Sequence, residues 1–168
     1  MRKLSALFVA SLIVMTALHG FAQDKPKSPK AEASGKVGSA NVKVNYCQPS
    51  ARGRKVMGEL VPYGQVWRTG ANEATVIEFD KDVKIEGKDL PAGQYALFTI
   101  PGENEWTVIF NKDTKQWGAY NYKEGDDVLR VTVKPTKTDQ FVETFTITPE
   151  KDKVSMKWEN TAVAFAVK

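Results

Sequence analysis

An all-β domain, built as a single antiparallel β-sandwich or jelly roll with an open β-barrel as the alternative, is the fold class that this 168-residue sequence predicts. Three observations carry the expectation. From Val37 onward apolar residues recur at every second position in short runs, residues that favour turns separate those runs, and helical periodicity is nearly absent.

The runs follow in order. Residues 41–46 alternate Val42, Val44 and Tyr46 with polar neighbours, a first strand that Pro49 ends. Two short strands, 75–79 and 83–85, come next. Leu90-Pro-Ala-Gly93 puts proline second and glycine fourth in a type I turn, which leads into a strand over 94–100 that Pro101-Gly102 stops. Trp106, Val108 and Phe110 share one face of the following strand, and residues 117–122 read as a short aromatic strand. Leu129, Val131 and Val133 face inward opposite Arg130, Thr132 and Lys134, the pattern of a strand wet on one side. Phe141, Phe145 and Ile147 form the next inward set. Val154, Met156 and Trp158 and then Val163, Phe165 and Val167 predict two final strands separated by Asn160-Thr161.

The chain before Val37 differs in kind. Residues 1–22 have a basic start, an apolar run too short for a confident membrane span and small residues at Gly20 and Ala22, which predicts a secretory signal peptide cleaved before Gln23. Residues 23–36, with two prolines and little to bury, read as a disordered linker, leaving 37–168 as the domain. The expected location is therefore the periplasm or the cell exterior, with no transmembrane span in the mature protein.

Removing the leader removes His19, the only histidine, and with it Ser-His-Asp and Cys-His catalysis and histidine-ligated metal sites. The basic excess also goes: from Val37 on, 18 Lys and Arg face 18 Asp and Glu, so no positive field is left to draw nucleic acid. Cys47 is the single cysteine, which rules out an intrachain disulfide; at a strand end beside Tyr46 it reads as a small buried hydrophobe. Asp80, Asp82 and Asp89 fail the spacing of a calcium loop and read as hairpin charges, and Glu124, Asp126 and Asp127 read as a solvated turn. No metal or cofactor is expected.

Several long segments taken together, 46–54, 61–75, LPAGQYALFTIPG over 90–102, EWTVIFNK over 105–112, WGAYNY over 117–122 and DVLRV over 127–131, resemble the exported bacterial domain-of-unknown-function family 2911 (DUF2911). The resemblance covers nearly the whole domain. It implies an exported, mostly β protein of Bacteroidetes-like bacteria and brings no established activity.

Candidate chemistry concentrates in 61–75, which packs aromatic, cationic, amide and carboxylate groups into a stretch without a helix or strand period. Tyr63 and Trp67 could stack on a ligand, while Arg68, Thr69, Asn72 and Glu73 could form a polar floor. The competing structural reading pairs Arg68 with Glu73 and has Asn72 satisfy loop backbone. Trp117, Tyr120 and Tyr122 form a second aromatic group, either a platform or core. The expectation is a non-catalytic binding module for a glycan, a small molecule or an envelope protein. A glycosidase-like hydrolase using Glu73 with Glu59 or Asp127 is the enzymatic alternative, and a purely structural or assembly role is the third.

Overall fold

The computed structural model describes residues 27–168, so the expected signal peptide and the first residues of the expected linker lie outside it. Ten strands build the fold: β1 (Lys30–Val37), β2 (Ala40–Cys47), β3 (Thr75–Phe79), β4 (Val83–Ile85), β5 (Lys88–Leu90), β6 (Gly93–Ile100), β7 (Trp106–Asn111), β8 (Asp127–Val133), β9 (Thr136–Pro149) and β10 (Lys153–Ala166). A 3-10 turn, Glu124–Asp126, is the only helical element among the described residues, and no helix there is long and apolar enough to cross a membrane.

The architecture is an antiparallel sandwich. One layer is a six-stranded sheet in the order β1-β2-β3-β6-β7-β8; the other is the long β9-β10 ribbon, with β4-β5 as a small hairpin beside it. Alternation explains why these segments become strands facing this way. Val42, Val44, Ile77, Phe79, Leu97, Val108, Phe110 and Val131 project from the sheet onto Phe145, Ile147, Val154, Met156, Trp158 and Phe165 of the ribbon, all nearly fully buried. The opposite face of the sheet carries a smaller apolar cluster of Ala74, Ala96, Phe98 and Ile109, on which Ala119 and Tyr122 of the 112–126 connection rest.

The structure corrects the sequence reading in five places. Residues 30–36, expected as linker, belong to β1, which pairs with β2 in unbroken register from Lys30–Cys47 to Val37–Ala40. Its inward residues, Ala31, Ala33 and Gly35, are small because the ribbon comes close: a Cβ on Gly35 would lie 3.2 Å from the Cβ of Pro149. β5 was not expected. Residues 117–122 form a turn over the outer face of the sheet instead of a strand, because Gly118 has φ +68° and the chain must curl to bring Tyr122 to Asp127. The two expected final strands are one, β10, whose register with β9 shifts on either side of Glu159, where φ is +55°. Phe141 has the inward parity of Phe145 but is 54% exposed, and it lies in the stretch between Lys137 and Val142 where the register of β9 with β10 shifts.

Candidate functional site

The middle of the 61–75 segment proves to be core scaffold. Trp67 exchanges backbone hydrogen bonds with Thr99, at 2.7 and 2.9 Å, and so extends the end of β6 as an added bridge. That pairing turns its ring inward, where it stacks on Trp158 at 5.9 Å between centroids and meets Phe145 and Trp106 edge-on. Its indole N–H donates to the Gly70 carbonyl at 3.0 Å, which makes full burial tolerable. Thr69, at φ +54°, is fully buried; its carbonyl accepts from the Thr75 hydroxyl at 2.6 Å and its own hydroxyl lies 3.2 Å from that of Thr99. Trp67 and Thr69 are therefore closed to any ligand.

The remaining candidates separate. Tyr63 lines a different groove, with Met57, Glu103 and Pro135. Arg68 makes no ion pair with Glu73; its Nε is buried without a hydrogen-bond partner. Tyr122 packs edge-on to Phe98 at 5.2 Å and donates to Asp127 Oδ2 at 2.5 Å, while Asn111 Nδ2 donates to Oδ1 of the same carboxylate at 2.8 Å. Burial first, and the Asp127 hydrogen bond second, push the Tyr122 phenol well above its ordinary range. This residue is an anchor for the 112–126 connection.

Asn72, Glu73 and Trp117 do come together. The end of the 61–75 segment pairs antiparallel with the 112–122 turn: Gly118 N–H donates to the Asn72 carbonyl at 2.9 Å, Ala74 N–H donates to the Gln116 carbonyl at 2.9 Å, and Glu73 stands directly opposite Trp117. Residues directly opposite in such a ladder project to the same side, so the Glu73 and Trp117 side chains leave the backbone together. Trp117 is 59% exposed, and Tyr120, whose ring rests on Gly118, is 84% exposed. Of the second aromatic group, Trp117 and Tyr120 are thus exposed, whereas Tyr122 packs on Phe98.

Beside the pair a pocket of about 220 Å³ opens on the outer face of the sheet, lined among others by Lys30, Asn45, Cys47, Glu73, Val76 and Thr114. Glu73 Oε1 lies 3.3 Å from the Lys30 ammonium, and Oε2 accepts from the Cys47 thiol at 3.7 Å. Its own backbone N–H, and after that Lys30, hold the Glu73 carboxyl below its ordinary range. Burial, reinforced by the Glu73 charge, pushes the Cys47 thiol up despite a hydrogen bond from Asn72, so this cysteine is a buried neutral group and a poor nucleophile. Glu73 is the one acid in the lining. Glu59 pairs with Lys55 and Asp127 accepts from Tyr122, and neither lines this pocket with Glu73 as the hydrolase alternative expected.

Sequence reasoning missed Lys30, Asn45 and Thr114. The alternation of Lys30, Glu32, Ser34 and Lys36 with small residues was the available signal for the first of these, since it puts Lys30 on the outward face of a strand. A larger groove, about 540 Å³, runs along the outer side of the ribbon past Lys137, Lys153 and Lys157, and contains none of the residues selected from sequence.

A family model described as "Protein of unknown function (DUF2911)" matches residues 28–167. No curated protein and no solved structure matches the chain.

Proposed function

The chain belongs to the DUF2911 family of proteins of unknown function, and from that premise we propose that it is a non-catalytic binding module of the cell envelope, taking a small ligand or a glycan at the Glu73-Trp117 pocket. The observation that carries this reading is the cross-strand pairing of Glu73, whose carboxylate lines a pocket, with Trp117, an exposed indole that stands outside the pocket lining on the same side of the ladder. A rigid β scaffold presenting an aromatic face and a few converging polar groups is the usual construction of a recognition site. The apolar leader at residues 1–22 supports a location in the periplasm or outside the cell.

A thermal-shift screen of glycans and metabolites on the chain starting at Gln23 tests the proposal. A ligand present at 100 times its Kd stabilises the folded state by about 2.7 kcal/mol, which is easily read as a rise in Tm. The rise is expected to disappear in Trp117→Ala. Silence across the whole screen would favour the assembly role instead.

A further inference from the structure

We propose that the group recognised at this pocket is an ammonium, primary or quaternary, seated on the Glu73 carboxylate against the Trp117 face in the place now taken by the Lys30 side chain. The inference deepens the binding reading above and rests on it.

The two charges at the pocket are not equivalent. Glu73 is held by its backbone pairing opposite Trp117 and by the Cys47 thiol on Oε2, and its side chain is 47% exposed. Lys30 begins the first strand and holds its ammonium at the end of a flexible stem whose side chain is 81% exposed. Such an exposed ion pair contributes little and is readily exchanged. The anchored charge sets the ligand's sign, and the mobile one can leave. With Lys30 swung away, the lining presents one negative charge with the neutral polar groups of Asn45 and Thr114 and the apolar Val76. Lys30 thus marks the seat as one that accepts a positively charged nitrogen.

The second element is aromatic. An indole face is the strongest of the side-chain partners for a cation, and Trp117 stands on the same side as the carboxylate it opposes. Size gives the third constraint. At about 220 Å³ the pocket falls below the usual range for drug-sized ligands, so it suits the charged end of a molecule whose remainder stays in solvent. An amino sugar or an amine-terminated side chain has that form.

Trp117 reports on the site selectively, because Trp67, Trp106 and Trp158 are buried. The chain from Gln23, which retains every residue of the fold, is titrated with tetramethylammonium, glucosamine and N-acetylglucosamine while the Trp117 indole N–H is followed by NMR. The two cations are expected to move that signal, and N-acetylglucosamine, with the same ring but no charge, to leave it in place. Lys30→Ala is expected to tighten the cations about two- to five-fold by removing the internal competitor, a gain that a misfolded variant cannot imitate. Glu73→Gln is expected to abolish their binding. Equal binding of N-acetylglucosamine, undiminished in Glu73→Gln, would overturn the ammonium assignment and leave the binding reading intact. No response of Trp117 to any of the three, in the parent chain or in Lys30→Ala, would overturn the assignment; a thermal-shift hit that still depends on Trp117 would preserve the wider reading.

Discussion

Trp67 and Trp117 show how one residue type takes opposite roles once the backbone is placed. Each stood among candidate stacking residues, and nothing in the local pattern separated them. Pairing with Thr99 turns Trp67 into the aromatic cluster with Trp158 and Phe145, whereas pairing with Glu73 turns Trp117 outward. Trp67→Ala should therefore cost about 3–5 kcal/mol in urea unfolding. Trp117→Ala, with 59% of its surface already in water, should stay within about 0.5 kcal/mol of the parent. Tyr122→Phe addresses the third aromatic: it leaves Asp127 Oδ2 with only the Arg130 guanidinium at 3.6 Å, and a loss of about 1–3 kcal/mol is expected. An unchanged unfolding midpoint in that variant would mean that the phenol does not anchor the connection.

Among the elements, those that bury one face against the core were legible and those whose course depends on distant partners were not. Thr75–Phe79 and Val83–Ile85 have the boundaries that their alternation indicated. β1 was hidden by composition: its inward residues are Ala31, Ala33 and Gly35, too small to register as a hydrophobic run, and its outward ones are polar or charged. The 117–122 turn was misread because its aromatic residues have strand-like composition, while the positive φ of Gly118 and the Tyr122-Asp127 bond that curl it are tertiary facts. Of the site, Glu73, Asn72 and Trp117 were legible as residue types, but their meeting across a ladder that joins two irregular segments was not. The tightness of the junction between the 61–75 segment and β2 is testable at Gly70. A Cβ there would meet the Cys47 carbonyl and the Thr75 hydroxyl, each at 3.0 Å, and both are held by buried structure. Gly70→Ala should destabilise by about 1–3 kcal/mol through overpacking and should displace Cys47 enough to raise its reactivity toward a thiol reagent. A variant as stable and as unreactive as the parent would show that the junction has slack.

At the scale of the whole molecule, the titrating groups divide by pH in a way that follows from what they face. Residues 27–168 contain no histidine, so no side chain with an ordinary pKa near neutrality is present to bend the stability profile there. The acid side is set by carboxylates held below their ordinary values: Glu73 by its own N–H and Lys30, Asp80 by the side chain and then the backbone of Asn41, and Glu150 by the Ser155 hydroxyl. Their folded pKa values are depressed, so each contributes stability that is present above its unfolded value, 4.5 for Glu and 3.8 for Asp, and is lost as pH falls through the folded value. The alkaline side is set by Cys47, Tyr95 and Tyr122, all raised chiefly by burial. Their stabilising contribution is complete below the ordinary values of 9.0 for the thiol and 10.0 for the phenols and is lost as pH rises toward the folded ones, because the unfolded chain ionises first. Tm should therefore be nearly flat from about pH 5 to pH 9 and fall on both sides. Glu73 links this profile to recognition: an ammonium bound at its carboxylate should weaken below pH 4.5 in step with the acid limb, while Glu73→Gln should remove the binding and soften that limb together. A midpoint that changed steeply between pH 6 and pH 8 would contradict this division of charges.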